Sequence, residues 1–374
     1  MKQLKKLFFF ILMAGGGAAI GYLATKSLGI TKDPSIPSEW RMGMLALIIP
    51  VILIVLAVHE WGHVFAGLRN NFAFRMFVVG PFMWQKEGEK LVFQWNTKLN
   101  LFGGLAVCLP RGTENLRKRF MWYAFGGPLA SLLLAGFAVL MWSVLKGISF
   151  DWIGPYLLKE FFMLTGLMSG LIFLVTILPF HSGGFYSDGA RIRLLAQNTP
   201  EAEQEIFVLN MIAHSTDGLS PLEYDLSELE RLVQLAPQSK RALLFYMYLY
   251  SGTMAQGKME VAGHWLEKSI EQKDSLPGPL QSLLWLNEAE YAIHFHRDAD
   301  MATASMAKVS RAPMIPEASI LKAEAELAEL QGDKDLARQK AEEALSRIDT
   351  ILDAGSARFI KDQLTALLRD LASQ

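Results

Sequence analysis

The chain has 374 residues, 51% of them hydrophobic and 20% charged, with a formal net charge of −1. That length holds two domains, and the balanced charge argues against nucleic-acid binding as a property of the whole chain. The single cysteine, Cys108, excludes an intrachain disulfide, gives no sign of an oxidising compartment and reads as a small buried hydrophobe. These averages conceal a sharp division. Before Asn198, long uncharged runs of Phe, Leu, Gly, Met and Trp dominate; after it Glu, Lys, Asp, Gln and Ala take over. The turn-like tripeptide Asn198-Thr199-Pro200 therefore divides residues 1–198 from residues 199–374.

Four segments are apolar and long enough to span a bilayer core, which takes about 20 helical residues. They are Leu7 to Ala24, Met42 to Leu68, Phe120 to Leu145 and Phe161 to Phe180. The first follows Lys2, Lys5 and Lys6 and is open to a second reading as a signal peptide, although no convincing small-x-small cleavage site follows it. The second ends in His59-Glu60-Trp61-Gly62-His63. Residues four apart share a helix face, so His59 and His63 can each offer a ring nitrogen to one metal ion, with zinc the ion such a set suits. Glu60 then stands beside the metal, where a carboxylate can take a proton from the attacking water and pass it to the leaving amine. Two histidines and a glutamate at membrane depth cost energy unless they pair, bind metal or line a wet cavity, which favours a functional cluster over packing histidines.

Between the second and third spans, Phe72 to Leu109 is too broken to cross a membrane. It alternates, as in Lys90-Leu91-Val92-Phe93-Gln94-Trp95, with Gly80-Pro81 and Glu87-Gly88-Glu89-Lys90 as turns, and predicts short strands and hairpins. The third span carries Gly126-Gly127-Pro128-Leu129-Ala130-Ser131, small residues that permit close helix approach. Basic residues fix the orientation: nine Lys and Arg lie from Arg69 to Arg119, against only Lys146 and Lys159 between the third and fourth spans. The 69–119 connection is therefore expected in the cytoplasm, with everything after Asp188 on the same side. A third metal ligand should then appear near the cytoplasmic end of another span. The fourth span runs on through Pro179 and His181 to Asp188-Gly189, making Asp188 the first choice and His181 its rival.

From about Arg241 onward, helical segments recur at a spacing of about 35 to 40 residues, with Pro277, Pro313 and Pro316 at boundaries. Ala325, Gly332, Ala337 and Ala344 fall where paired helices need small residues, and the segment is similar to degenerate tetratricopeptide repeats; an irregular helical bundle is the alternative.

The second span with its His-Glu-x-x-His, followed two spans later by Asp-Gly after a proline, resembles the site-2 protease family of intramembrane zinc metalloproteases over approximately residues 40 to 195. Thr176 stands where the family pattern commonly has Asn, and Pro179 and Asp188 are further apart than usual, so His181 stays open as a ligand. The resemblance implies Zn2+ held by His59, His63 and Asp188, Glu60 as general acid/base, and cleavage of a membrane-anchored protein or peptide in or beside its transmembrane helix. It also implies a small sheet lying against the membrane that pairs with unwound substrate. The expected fold is an α-helical polytopic membrane protein with about four spans, a small membrane-associated β sheet, and a soluble all-α C-terminal domain holding a cytoplasmic partner. A bacterial plasma membrane suits this resemblance. A catalytically silent membrane scaffold is the main alternative and a metal transporter a third; the intact Glu60 argues against the scaffold.

Overall fold

The computed structural model describes residues 38–96, 103–148, 152–182, 185–235, 237, 242–276, 278–311 and 315–373. The first predicted span, Leu7 to Ala24, lies outside the described residues, as do Pro277 and Pro313. Among the described residues three helices are long and apolar enough to cross a membrane, and they correspond to the second, third and fourth predicted spans. These are α1 (Ser38–Arg69, apolar from Ala46), α2 (Leu116–Leu145) and α3 (Ile153–Ile177).

Helix α3 begins eight residues before the predicted Phe161 and stops three before Phe180. In the sequence Gly154-Pro155 looks like a breaker, yet a proline in the first helical turn removes only an N–H that has no helical partner. Pro179 sets the other end, because the residue before a proline is driven out of the helical region; Leu178 is extended, with φ −71 and ψ 132. Val51 and Val55 of α1 pack with Leu164 of α3, with Leu134 of α2 against them. Leu133, Phe137 and Leu140 on the outer face of α2 are 65%, 53% and 61% exposed. A bilayer covers such a face without cost, whereas water would not.

The predicted hairpins form a four-stranded antiparallel sheet: β1 (Phe72–Val79), β2 (Phe82–Glu87), β3 (Lys90–Trp95) and β4 (Leu105–Pro110), in the order β3-β2-β1-β4. Register sets Phe77 opposite Trp84 and Trp84 opposite Phe93, so large rings share one face. Their contacts continue from Trp61 of α1 through Phe77, Trp84 and Phe93 to Trp95. The other face turns Met83, Gln85 and Glu87 towards the C-terminal helices, and Asp349 lies against the β2–β3 turn at Gly88.

A short hairpin, β5 (His181–Ser182) and β6 (Phe185–Tyr186), leads into α4 (Asp188–Leu195) and α5 (Pro200–Thr216), whose first turn is capped by Thr199. Next come α6 (Leu226–Leu235) and three antiparallel pairs, α7 (Ala242–Ala255) with α8 (Met259–Glu271), α9 (Gly278–Tyr291) with α10 (Ala299–Met306), and α11 (Glu317–Leu330) with α12 (Lys334–Ser346); α13 (Ala354–Ser373) closes the chain. The outer pairs match in length, 14 and 13 residues each. The middle pair departs from the expected regularity, with a π turn at Ala292–His296 and a second helix of only 8 residues. Ala325, Ala337 and Ala344 are buried together with Ala341 and Leu364, closing the last pair as the small residues predict.

Packing runs across the composition boundary. Val64 of α1, Phe72 of β1, Cys108 of β4 and Phe120 of α2 share one cluster with Leu195 of α4 and with Leu209 and Ala213 of α5. Burial there pushes the Cys108 thiol up to about 12, consistent with an inert buried side chain.

Candidate metal centre

Helix α1 carries His59 and His63 one turn apart on its buried face, 5% and 7% exposed. They can sit there because α1 and α2 meet through small residues. A Cβ on Gly62 would collide with the Gly126 carbonyl, and one on Gly127 would collide with the His63 ring at Nε2. The glycines singled out in the sequence for close packing thus leave the space that the histidine ring occupies.

Each imidazole is held by its Nδ1. His63 Nδ1 lies 2.9 Å from the Tyr123 carbonyl oxygen, which can only accept, so in the neutral ring the proton is at Nδ1 and the lone pair at Nε2. His59 Nδ1 lies 3.0 Å from Ser131 Oγ, and Ser169 Oγ of α3 donates to the Ser131 carbonyl at 2.8 Å. Both Nε2 atoms therefore face the same space, 3.3 Å apart.

Asp188 enters that space from the first turn of α4. Ser187 places it: its hydroxyl donates to the Leu178 carbonyl at 2.6 Å and accepts from the N–H groups of Phe180 and Ala190 at 3.1 Å. Gly189 completes the fit, because a Cβ there would run into the Ile177 carbonyl at the end of α3. Asp188 Oδ2 ends 3.5 Å from the Nε2 of both histidines. His59, His63 and Asp188 thus offer three ligand atoms within 4.8 Å of one another. A tetrahedral zinc with bonds of about 2.0–2.1 Å separates its ligands by about 3.3–3.4 Å, so the triangle of 3.3, 3.5 and 3.5 Å fits that ion. Two imidazole nitrogens and a carboxylate converging on one point are satisfied either by a metal cation between them or by a proton that one ring donates to Asp188. The backbone of His181 is in β5, and its side chain lies outside the described residues.

Glu60 turns its carboxylate to β4, where the Ala106 N–H donates to it. The Tyr123 hydroxyl donates to the Ala106 carbonyl at 2.9 Å and accepts from the Cys108 N–H. One tyrosine therefore holds a candidate ligand through its carbonyl and the edge strand through its hydroxyl. Tyr123 and Ala106 carry no local signal in the sequence; Ser131 lies in the small-residue stretch, noted there only for packing.

Two buried histidines at the end of a helix apolar enough to cross a membrane, met by a partly buried carboxylate, define a membrane protein with a candidate metal centre. The profile described as Peptidase family M50 matches residues 47–352, and the chain belongs to that family of metallopeptidases. Membership implies an intramembrane metalloprotease acting on proteins or peptides, as the resemblance to site-2 proteases predicts. No curated protein and no solved structure matches the chain.

Proposed function

We propose that the protein is a multi-pass, zinc-dependent endopeptidase of the bacterial plasma membrane that cleaves membrane-anchored proteins or peptides in or beside their transmembrane segment. The observation that carries this is the convergence of His59, His63 and Asp188 on one point, with Glu60 alongside, in a chain of the M50 family. In this proposal His59, His63 and Asp188 are the metal ligands and Glu60 is the general acid/base. Bound zinc supplies Lewis-acid polarisation of the scissile carbonyl and lowers the pKa of water to about 7. Glu60 takes the proton as the carbonyl is attacked and returns it to the leaving amine. The Tyr123 carbonyl keeps His63 in the tautomer that ligation requires, and the Ser131 hydroxyl holds the orientation of the His59 ring.

Substrate must arrive as extended chain, because a helix hides its carbonyls inside its own hydrogen bonds. Strand β4 is the sheet edge beside Glu60, and Ala106 already spends its N–H on Glu60 and its carbonyl on Tyr123. A substrate strand that pairs there exchanges these bonds for its own and frees the Glu60 carboxylate for proton transfer. The metal centre faces the cytoplasm in this proposal. Residues 1–198 form the protease domain and residues 199–374 a cytoplasmic helical domain of tetratricopeptide-like pairs, open to a protein partner.

The test is metal content and cleavage together. Purified protein should hold about one zinc per chain and cleave a membrane-anchored reporter; protein that binds no zinc when supplied with it sinks the proposal. Ser131→Ala is expected to weaken zinc binding by about 10–100-fold in a chelator competition, because His59 loses its orienting partner. Unchanged affinity would assign Ser131 to packing alone.

A further inference from the structure

The groove inside the C-terminal helices takes no part in the chemistry proposed above. Its volume is about 330 Å³, and the first helix of each pair, α7, α9 and α11, lines it together with α13. Met254, Leu286 and Phe359 give it apolar walls. Between them stand the side chains of Ser251, Asn287, Ser319 and Gln363, which have no hydrogen-bond partner among the described residues. Hydroxyl and amide groups spaced along a concave helical face can bond the backbone of an extended peptide.

The charge of the groove selects among peptides. Lys322 is 4% exposed and already taken, its ammonium 3.1 Å from Glu290 and 2.9 Å from Glu326. His294 sits 3.2 Å from Glu326, and Asp353 lines the same groove. Glu290 and Asp353 line the groove beside Lys322 and His294, and Glu326 lies buried behind that wall. Three carboxylates in and just beneath the groove thus stand against one lysine and one histidine, a net negative balance.

We propose that this groove binds the basic cytoplasmic flank of a membrane-anchored substrate as an extended peptide. Segments that flank transmembrane helices on the cytoplasmic side are rich in Lys and Arg, and the groove lies on that side in the orientation proposed above, on which this inference rests. Capture of the flank raises the effective concentration of the attached transmembrane segment at the protease.

The test uses the full-length Glu60→Gln protein in lipid nanodiscs and fluorescence anisotropy with three short peptides, apolar residues interspersed with lysines, glutamates or glutamines. The lysine peptide should bind about tenfold tighter than the glutamine peptide, and more weakly as salt rises; the glutamate peptide should not bind. Asn287→Ala combined with Gln363→Ala should weaken the lysine peptide about tenfold. Equal binding of lysine and glutamate peptides, no binding, or indifference to the groove variant overturns the proposal. So does lysine-peptide binding that appears only after Lys2, Lys5 and Lys6 are changed to Gln, which would make the chain's own N-terminus the occupant. No cleavage or metal content is read here, so failed binding leaves the protease proposal standing.

Discussion

Glu60→Gln is expected to reduce cleavage of a membrane-anchored reporter by at least about 10²–10⁴-fold, the usual worth of a positioned acid/base, while zinc content stays at the wild-type level. The substitution isolates proton transfer from architecture. Glutamine has the same length and keeps a carbonyl oxygen to accept the Ala106 N–H, so strand β4 has no reason to move. What it loses is basicity, and an amide cannot shuttle the proton between water and leaving amine. Single-turnover cleavage measured beside metal analysis separates the two quantities. A rate within a few-fold of wild type would remove Glu60 from the chemistry and leave its bond to Ala106 as its whole role.

Asp188→Ala should abolish stoichiometric zinc binding, whereas His181→Ala should retain it. The carboxylate stands 3.5 Å from both imidazole Nε2 atoms, and without it two neutral rings one helix turn apart are the only ligands left in the triangle. Loss of fold is a poor alternative explanation. Asp188 is the first residue of α4, where an acidic side chain contributes about 0.3–1 kcal/mol through the helix dipole, and the Ser187 hydroxyl still caps the helix without it. Metal analysis of the purified variants, with circular dichroism as the control, checks this. The opposite pattern, zinc lost with His181 and kept without Asp188, would transfer the third position to His181.

The spacing of His59 and His63 was legible because it depends on one helix and nothing else. Asp188 required two further steps, a topology from the basic loops and a level in the membrane, and both rest on physics that acts along the chain. Tyr123, Ala106 and Ser131 belong to another kind of information. Their roles arise where α1, α2 and β4 meet, and no local pattern announces a carbonyl that will hold an imidazole 60 residues away. The start of α3 was hidden for a different reason: Gly154-Pro155 carries the same letters whether it breaks a helix or opens one. The alternation in β1 to β3 gave strands, but the pairing of β1 with β4 across the intervening hairpins depends on long-range packing.

The cluster that joins Val64, Phe72 and Cys108 to Leu195, Leu209 and Ala213 makes the compositional border at Asn198 a poor place for a protein engineer to cut. A fragment ending there would bare a greasy scar next to the histidine helix, and the separated helical half would carry the matching one. Expression trials that want a smaller protease therefore do better to trim from α13 inwards and keep α5 as a plug.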